Sequence, residues 1–318
     1  MQSPLRVGIL GAGRMAQGFD DPDSKDVLTL AHAIATCPDL ELGGFFDLQT
    51  GRAEEAEAKW KCPPSPRNRA AWLEQSWDVV CIATPNDQHE PDFRDVLARR
   101  PKAILVEKPL ATNMTAASYL LHEAQGLNVP VVVDFPRRWH SAVESVKDCI
   151  SSGLLGKPVS AVFTYVGAPS HSAIHMLDLF HTWWGGQWTV QRVGGGENCA
   201  ILELCRLDDR LSASFIGLPE THHYVWEMAI HCEHGKLELS RSPEVLEIFL
   251  TGPHPKYPAF SVLTPWQRYD MEAEPLLSRL MEHIVRICQD GKLAKQQIQH
   301  EIESLAFATS VLPFLNIP

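Results

Sequence analysis

Two groups of residues near the N-terminus have the types and spacing needed to bind a phosphate and a sugar hydroxyl. Gly11 and Gly13 follow the apolar run at residues 5–10, and Asp47 ends a second run at residues 41–46. Gly11 permits a tight turn from strand to helix, and Gly13 lets the main chain approach a pyrophosphate. Asp47 would accept hydrogen bonds from the ribose hydroxyls and repel a 2′-phosphate. The pattern predicts a dinucleotide site with NAD as the cofactor and NADP as the alternative.

The glycine turn continues through Arg14 and Met15, which we include among the cofactor-binding residues. Arg14 is also the side chain that could turn onto a 2′-phosphate. The spacing from this turn to Asp47 is longer than the usual ~20 residues. Residues 19–27 combine acids with proline and serine, so they predict an inserted loop between the turn and the next apolar helix.

Polar clusters follow two further buried strands. Thr84 and Asn86 come after the apolar run at residues 77–83, and Lys108 comes after the run at 103–107. Ligands bind at the carboxyl ends of strands in a doubly wound sheet, so both clusters are candidates for chemistry. On position alone, Lys108 is either a solvated loop residue or a proton donor tuned by its surroundings.

Composition restricts the class of protein. The chain has 318 residues, 45% of them hydrophobic and 21% charged, which is ordinary for a globular enzyme with two cores. The net charge of −11 argues against a nucleic-acid partner. We expect a cytoplasmic protein without a membrane partner, because no apolar run is long enough to span a bilayer. The eight cysteines form no paired motif and predict neither disulfides nor a zinc site.

The elements that must position these residues alternate between strand and helix in the first part of the chain. A weaker parallel element is predicted near residues 66–72, and helices are predicted near residues 50–60, 90–100 and 113–126. A last strand is predicted over residues 129–135. This pattern indicates an α/β fold with an N-terminal Rossmann domain over residues 1–136.

The second part, residues 137–318, predicts a C-terminal α+β domain with an open, mainly antiparallel sheet. A helix near residues 140–152 introduces it, and helices near residues 272–289 and 297–312 close the chain. The alternating runs that predict its strands lie at residues 159–166, 198–206, 210–217, 223–232, 235–240 and 244–250.

Several of these motifs together resemble the Gfo/Idh/MocA family of NAD(P)-dependent oxidoreductases. The likeness extends over nearly the whole chain. It rests on the segments GAGRMA, ATPN with His89, EKPLA, Phe135 to Trp139, GLLGKP, His175 to Asp178, and EHGKLEL.

The resemblance implies a Rossmann domain followed by an open sheet, which would mediate homodimer or homotetramer contacts. It also assigns roles to particular residues. Lys108 matches the active-site lysine and His175 the catalytic histidine, with Asp178 in the same motif. The matched positions that would line the nicotinamide are Thr84, Pro85, Asn86, His89 and Glu107.

One departure from the family pattern falls in this site. The family usually has an acid four residues before the catalytic histidine, and here that position is His171. His171 could still exchange a proton near neutral pH, so we keep it as a catalytic and substrate-binding candidate. The same stretch could be taken for a metal site formed by His171, His175, Asp178 and His181, but the resemblance includes no metal and we predict none. Arg138 and Trp139 are predicted substrate contacts.

The leading hypothesis is an enzyme that moves a hydride between NAD(H) and a carbonyl or carbinol carbon. Its small-molecule substrate would be a sugar, a cyclitol or a related polyol, with Lys108 and His175 handling the proton. Two alternatives stay open. One is an NAD-binding regulator of the same family without catalysis, and the other is a glycosidase that recycles its NAD.

Overall fold

The computed structural model describes residues 3–196, 199–219, 223–241 and 243–315. The chain divides into two compact units. The first unit comprises residues 1–139 and 275–305, and the second comprises residues 140–274 and 306–318. The predicted domain boundary therefore differs from the observed division, because a C-terminal segment returns to the first unit.

The first unit is built on a parallel sheet of five strands in the order β2-β1-β3-β4-β5. These strands are β1 (Leu5–Leu10), β2 (Leu40–Phe46), β3 (Val79–Ile82), β4 (Ala103–Val106) and β5 (Val131–Val133). The helices between them are α1 (Leu30–Thr36), α2 (Thr50–Trp60), α3 (Arg69–Leu73), α4 (His89–Leu97) and α5 (Met114–Gly126). The chain moves to the other side of β1 when it enters β3, so the sheet has its switch point beside β1.

The helix expected after the glycine turn is short. Residues Arg14–Gly18 form a single π-helical turn, and an irregular segment follows before α1 begins at Leu30. Asp20 anchors this segment, because its carboxylate accepts hydrogen bonds from the Leu28 and Thr29 amides and from the Thr29 hydroxyl. The predicted inserted loop is confirmed, and it shortens the helix whose positive end would face a phosphate.

Two C-terminal helices complete the chain: α8 (Leu276–Gln289) and α9 (Gly291–Leu315). The apolar face of α8 packs into the core of the parallel sheet through Leu280, Met281 and Ile284, which are almost fully buried. This packing explains why the segment belongs to the first unit, although its sequence follows the second.

The second unit contains α6 (Ser141–Ser151), α7 (Ala173–Trp184) and a sheet of eight strands in the order β13-β12-β11-β10-β6-β9-β8-β7. The strands are β6 (Pro158–Val166), β7 (Trp188–Gly196), β8 (Cys199–Arg206), β9 (Ser212–Leu218), β10 (Trp226–Cys232), β11 (Gly235–Ser240), β12 (Val245–Pro253) and β13 (Ser261–Asp270). All neighbouring pairs are antiparallel except β6 and β9, which are parallel. Its core includes Phe163, which stacks on Phe215 at 4.4 Å and meets the edge of Phe180 at 5.0 Å.

The predicted fold class is confirmed, with two local errors. Residues 66–72 do not form a strand, because Asn68 caps a short helix by accepting a hydrogen bond from the Ala71 amide at 3.1 Å. Strands β7 and β13 were not predicted. Nearly all of β13 is solvent-exposed, so it lacks the apolar alternation that marks a half-buried strand. No helix in the described ranges is long and apolar enough to cross a membrane.

Candidate cofactor and catalytic site

The carboxyl ends of the five parallel strands bring the predicted residues of the first unit onto one edge of the sheet. Along the sheet, Asp47 directly follows β2 and Gly11 directly follows β1. Thr84 is the second residue after β3, and Lys108 is the second residue after β4. The position after β5 is Asp134. The residues singled out from the sequence in this unit therefore lie along a single edge, as expected for a doubly wound sheet.

The glycine turn has the geometry of a close backbone approach. Gly11 has a φ of +98°, and a Cβ there would lie 2.5 Å from the Ala83 carbonyl oxygen, so no other residue fits. A Cβ at Gly13 would meet no protein atom within 4 Å, so the backbone at this point is open to a ligand. Arg14 and Met15, which follow, are exposed. These features fit the pyrophosphate of a dinucleotide.

Asp47 is fixed by the turns on both sides of it. One carboxylate oxygen accepts a hydrogen bond from the Ala12 amide at 3.0 Å, and the other accepts one from the Gln49 amide at 2.8 Å. Each carboxylate oxygen can accept a second hydrogen bond, and the side chain is only half-buried. Asp47 is thus oriented beside the glycine turn with capacity left for ribose hydroxyls.

The loop after β3 is held from behind by α4. The Thr84 hydroxyl donates to Asp92 at 2.6 Å, and the other oxygen of Asp92 pairs with Arg69 at 2.8 Å. Pro85 and Asn86 are exposed beyond Thr84. The hydroxyl of Thr84 is therefore committed to positioning the loop, and Asn86 carries its accessible polar side chain.

His89 joins the two polar loops. Its ring is fully buried, with Nδ1 2.6 Å from the Pro109 carbonyl oxygen and Nε2 2.8 Å from the Thr84 carbonyl oxygen. A carbonyl oxygen only accepts, so both bonds together need a ring that carries a proton on each nitrogen. His89 therefore clamps the loop after Lys108 to the loop after β3, and its place beside the nicotinamide stays a prediction.

Glu107 and Asp134 are two acids at neighbouring strand ends beside Lys108. Burial raises the pKa of Glu107, although a hydrogen bond with Asp134 and the charges of Lys108 and His89 oppose this shift. Burial also raises the pKa of Asp134, and the charge of Glu107 raises it further. Two adjacent buried carboxylates repel each other, so the pair resists losing both of its protons.

Arg138 forms a buried ion pair with the C-terminal helix α9. Its side chain is 2% exposed and pairs with Glu301 at 2.6 Å. Glu301 also accepts hydrogen bonds from the Val133 amide and from Gln297, at 3.3 and 2.6 Å. The guanidinium thus ties α9 to the end of β5 inside the first unit, and a substrate contact by Arg138 stays a prediction.

Trp139 also has a packing role. Its ring stacks on His283 of α8, with centroids 3.8 Å apart, and it borders the hydrophobic core of the first unit. The cluster Trp183, Trp184 and Trp188 likewise packs inside the second unit, where Trp184 and Trp188 contact Phe180. Apolar burial accounts for these tryptophans.

The remaining predicted residues lie on or next to α7 in the second unit. His171 is exposed and precedes the helix, whereas His175 is half-buried in its first turn and Asp178 is buried one turn later. The segment before the helix is held by Ser172, whose hydroxyl donates to the Val166 carbonyl at 2.7 Å. His171 does not share a helical face with the others. Among the described residues, no cluster of histidine, cysteine and acidic side chains has an arrangement suited to a metal ion.

Two residues of this site were missed from the sequence, Asp92 and Asp134. Asp134 had a usable signal, because it is a charge inside the otherwise apolar segment VVVDF at a strand end. Asp92 had none, since an acid in the first turn of a helix is common.

Similarity to known proteins agrees with this geometry. Residues 5–135 match the family described as "Oxidoreductase family, NAD-binding Rossmann fold". The dTDP-3,4-didehydro-2,6-dideoxy-alpha-D-glucose 3-reductase of Streptomyces antibioticus is 27% identical over 225 residues, which are 70% of this chain and 60% of that protein. The glucose-6-phosphate 3-dehydrogenase of Bacillus subtilis is 28% identical over 155 residues, 49% of this chain and 40% of that protein. The chain thus spans 60% and 40% of the lengths of these two curated relatives, less than two thirds in each case.

The fold is shared over a greater length. A crystal structure of KijD10, a 3-ketoreductase from Actinomadura kijaniata in complex with TDP-benzene and NADP, superposes with a TM-score of 0.71 at 16% identity and covers 97% of each chain. The glycine turn, the fixed Asp47 and the family match lead to the same assignment. Residues 5–135 therefore resemble the NAD-binding Rossmann domain of the Gfo/Idh/MocA oxidoreductases.

Proposed function

We propose that this protein is an NAD(P)-dependent oxidoreductase acting on a carbonyl or carbinol carbon of a sugar, a cyclitol or a related polyol. The observation that carries the proposal is Lys108, which leaves the end of β4 on the same sheet edge as the glycine turn and Asp47. The names of the two relatives above both describe redox chemistry at position 3 of a sugar. They support this class of substrate.

The residues of this chain would divide the work. Gly11 and Gly13 would admit the pyrophosphate, Asp47 would accept the ribose hydroxyls, and Asn86 would border the nicotinamide. When bound, the cofactor supplies the hydride chemistry. Lys108 and His175 would hold or move the proton at the substrate oxygen, and the buried Asp178 would orient His175 from the next helical turn. His171, exposed ahead of α7, remains a candidate substrate contact.

The main test concerns proton transfer. Lys108→Ala and His175→Ala should each lower kcat by roughly 10²- to 10⁴-fold, with little change in dinucleotide affinity, as expected for lost acid-base groups. Turnover would be followed by NAD(P)H absorbance with myo-inositol, glucose 6-phosphate and dTDP- and UDP-activated sugars as substrates.

The chain offers matched controls for both variants. Lys102 flanks the opposite end of β4, where it pairs with Asp78 at 2.9 Å, and His122 is exposed on α5. Lys102→Ala and His122→Ala should keep native turnover. Native-like turnover in both Lys108→Ala and His175→Ala would overturn the assigned proton transfer.

The same measurements separate the alternatives. Net formation of NAD(P)H in step with substrate oxidation supports the dehydrogenase. Dinucleotide binding without turnover of any such substrate supports the regulator. Cleavage of a glycosidic bond without net NADH supports the glycosidase.

Cofactor preference is a second prediction. NAD(H) should bind more tightly than NADP(H), because a 2′-phosphate would stand against the fixed Asp47 carboxylate. Asp47→Asn should reduce that preference by removing the negative charge while keeping the size of the side chain. Titration of both cofactors by protein fluorescence checks this, and tighter binding of NADP(H) to the unaltered protein would contradict it. That result would identify the exposed Arg14 as the residue to substitute next.

The predicted homodimer or homotetramer belongs to the same proposal. Along β6 and β9, buried side chains alternate with more accessible ones, which lie on the opposite face of the second unit's sheet. This second face carries apolar side chains such as Val162 and Ile216, which the rest of the chain covers only in part. A partly apolar sheet face of this kind supports self-association through the open sheet.

A further inference from the structure

Asp134 has surroundings that neither the family match nor the glycine turn explains. In the parallel register Val106 lies opposite Val133, so the next residues, Glu107 and Asp134, emerge side by side. The Asp134 amide donates to the Val106 carbonyl at 2.9 Å, and the Glu107 amide donates to the Ile82 carbonyl at 2.9 Å. The backbone therefore holds the two acids on adjacent strands.

The two carboxyl groups are deep in the first unit. Asp134 is 3% exposed, and among the described residues neither Asp134 Oδ1 nor Glu107 Oε1 receives a hydrogen bond from a conventional donor. The carboxyls interact with each other. Two carboxyls can hydrogen-bond only when one carries the proton. A buried carboxylate pair without that proton would cost far more than one with it.

The charged groups around the pair decide which acid keeps the proton. Glu107 is next to the cations Lys108 and His89, which favour its ionised form. Asp134 is fully enclosed and is acted on by Glu107, Lys108 and the guanidinium of Arg138, but Arg138 already pairs with Glu301 at 2.6 Å. Cys81 of β3 also faces the pair, and the two acids help burial to raise its thiol pKa, so it stays neutral. Glu107 is the better site for the charge.

We propose that Asp134 is a positioning residue for Lys108, in which a protonated carboxyl donates a hydrogen bond to Glu107 and so keeps one negative charge next to the lysine ammonium. Glu107 directly precedes Lys108, and the Lys108 charge acts on the Glu107 carboxyl, so a negative charge held on Glu107 attracts the ammonium. The inference rests on the proposed function of Lys108 for its catalytic consequence. The protonation of Asp134 itself does not depend on that function.

The first experiment needs no substrate. Difference infrared spectroscopy of the unaltered protein should show, at neutral pH, the C=O band of a protonated buried carboxyl that is absent from Asp134→Asn. A band that persists in Asp134→Asn and disappears in Glu107→Gln would place the proton on Glu107 and overturn the assignment. Absence of any such band would overturn it as well.

The second experiment tests positioning. Asp134→Leu keeps the branched shape of the side chain and removes the donor, so kcat should fall by about 10- to 100-fold, the range expected for a lost hydrogen bond to a charged group. KM and dinucleotide affinity should change little. Asp134→Asn should restore most of the turnover, because its amide N–H can donate to Glu107. The pH profile of kcat should move in Asp134→Leu and stay in place in Asp134→Asn.

The outcomes separate the two proposals. Equal loss in Asp134→Leu and Asp134→Asn, or native turnover and pH profile in both, would overturn the positioning role. If Lys108→Ala retains turnover, the proposed proton transfer fails while the infrared result still decides the state of Asp134. A lower unfolding temperature in Asp134→Leu with an unchanged pH profile would show a structural role alone and contradict the inference.

Discussion

Two buried aspartates of the first unit, Asp20 and Asp134, have similar exposure and opposite chemistry. They are 6% and 3% exposed, respectively. Burial by itself would raise the pKa of Asp20, but hydrogen bonds from Thr29, the Leu28 amide and His32, with the charge of His32, lower it overall. Burial raises the pKa of Asp134, and the neighbouring Glu107 adds to that shift. The hydrogen-bond donors and charges around a buried acid therefore decide its ionisation more than its degree of burial does.

The difference also separates two roles. Asp20 accepts hydrogen bonds from Leu28, Thr29 and His32, including one from the His32 ring at 2.8 Å, so its charge is fully used in holding the inserted loop onto α1. Asp134 meets another acid beside the predicted catalytic lysine. Acids with strongly shifted pKa values and incomplete hydrogen bonding are typical of functional sites, whereas satisfied ion pairs are typical of structural ones.

The largest effect expected from this comparison is on stability at Asp20. Asp20→Ala should lower the free energy of unfolding by about 3 kcal/mol, because several buried donors and His32 lose their acceptor. Urea denaturation would measure it. The neighbouring Asp21 provides the control: its exposed carboxylate pairs with Lys59 at 3.0 Å, and Asp21→Ala should change stability by no more than ~0.5 kcal/mol. Equal effects of the two substitutions would show that the Asp20 network is not stabilising.

An intermediate effect concerns pH, with opposite signs for the two acids. The pKa of Asp20 is lowered on folding, so its stabilisation is present above the unfolded value and is lost as pH falls through the folded value. The pKa of Asp134 is raised, so its contribution is present below the unfolded value and is lost as pH rises through the folded value.

Urea denaturation from about pH 2 to pH 9 checks these signs. The unaltered protein should lose stability relative to Asp134→Asn as pH rises. Asparagine has no titrating proton, whereas keeping Asp134 protonated in the folded protein becomes more costly at higher pH. Relative to Asp20→Ala, it should lose stability as pH falls. If the free energy of unfolding changes with pH in the same way in all three proteins, the two acids do not differ in pKa shift as described.

The smallest expected effect is that of Asp134→Asn on stability near neutral pH. The amide has nearly the same shape as a protonated carboxyl and can donate the same hydrogen bond, so the free energy of unfolding should change by less than about 1 kcal/mol. Thermal unfolding followed by circular dichroism would show it. A loss of several kcal/mol would mean that Asp134 is ionised and paired in the native protein.

Local sequence patterns predicted most of the parallel sheet and its ligand-binding edge. The turn at Gly11 and the strand that ends at Asp47 could be predicted because a tight turn and a buried strand each depend on a few neighbouring residues. The short helix at Arg69–Leu73 was assigned wrongly, since an apolar segment of this length is compatible with helix or strand. The cap at Asn68 was the local signal that would have decided it.

The roles of Arg138 and Trp139 could not be predicted in the same way. Both depend on α8 and the first part of α9, which follow residues 140–274 in sequence and belong to the first unit. No local pattern at Arg138 indicates that Glu301 neutralises it. An arginine at a strand end is consistent with a ligand contact until the distant acid is located.

The sequence by itself determined a dinucleotide-binding edge, its glycine turn, its acid and its lysine, because strand order and the carboxyl-end rule place these residues wherever the sheet forms. The tertiary structure alone decided which charges are used internally and which stay chemically available. Asp20, Arg138 and Asp134 are single charged residues in the sequence. Their protonation and accessibility depend on partners that folding brings within a few ångströms, since electrostatic interactions follow distance and burial and do not follow separation along the chain.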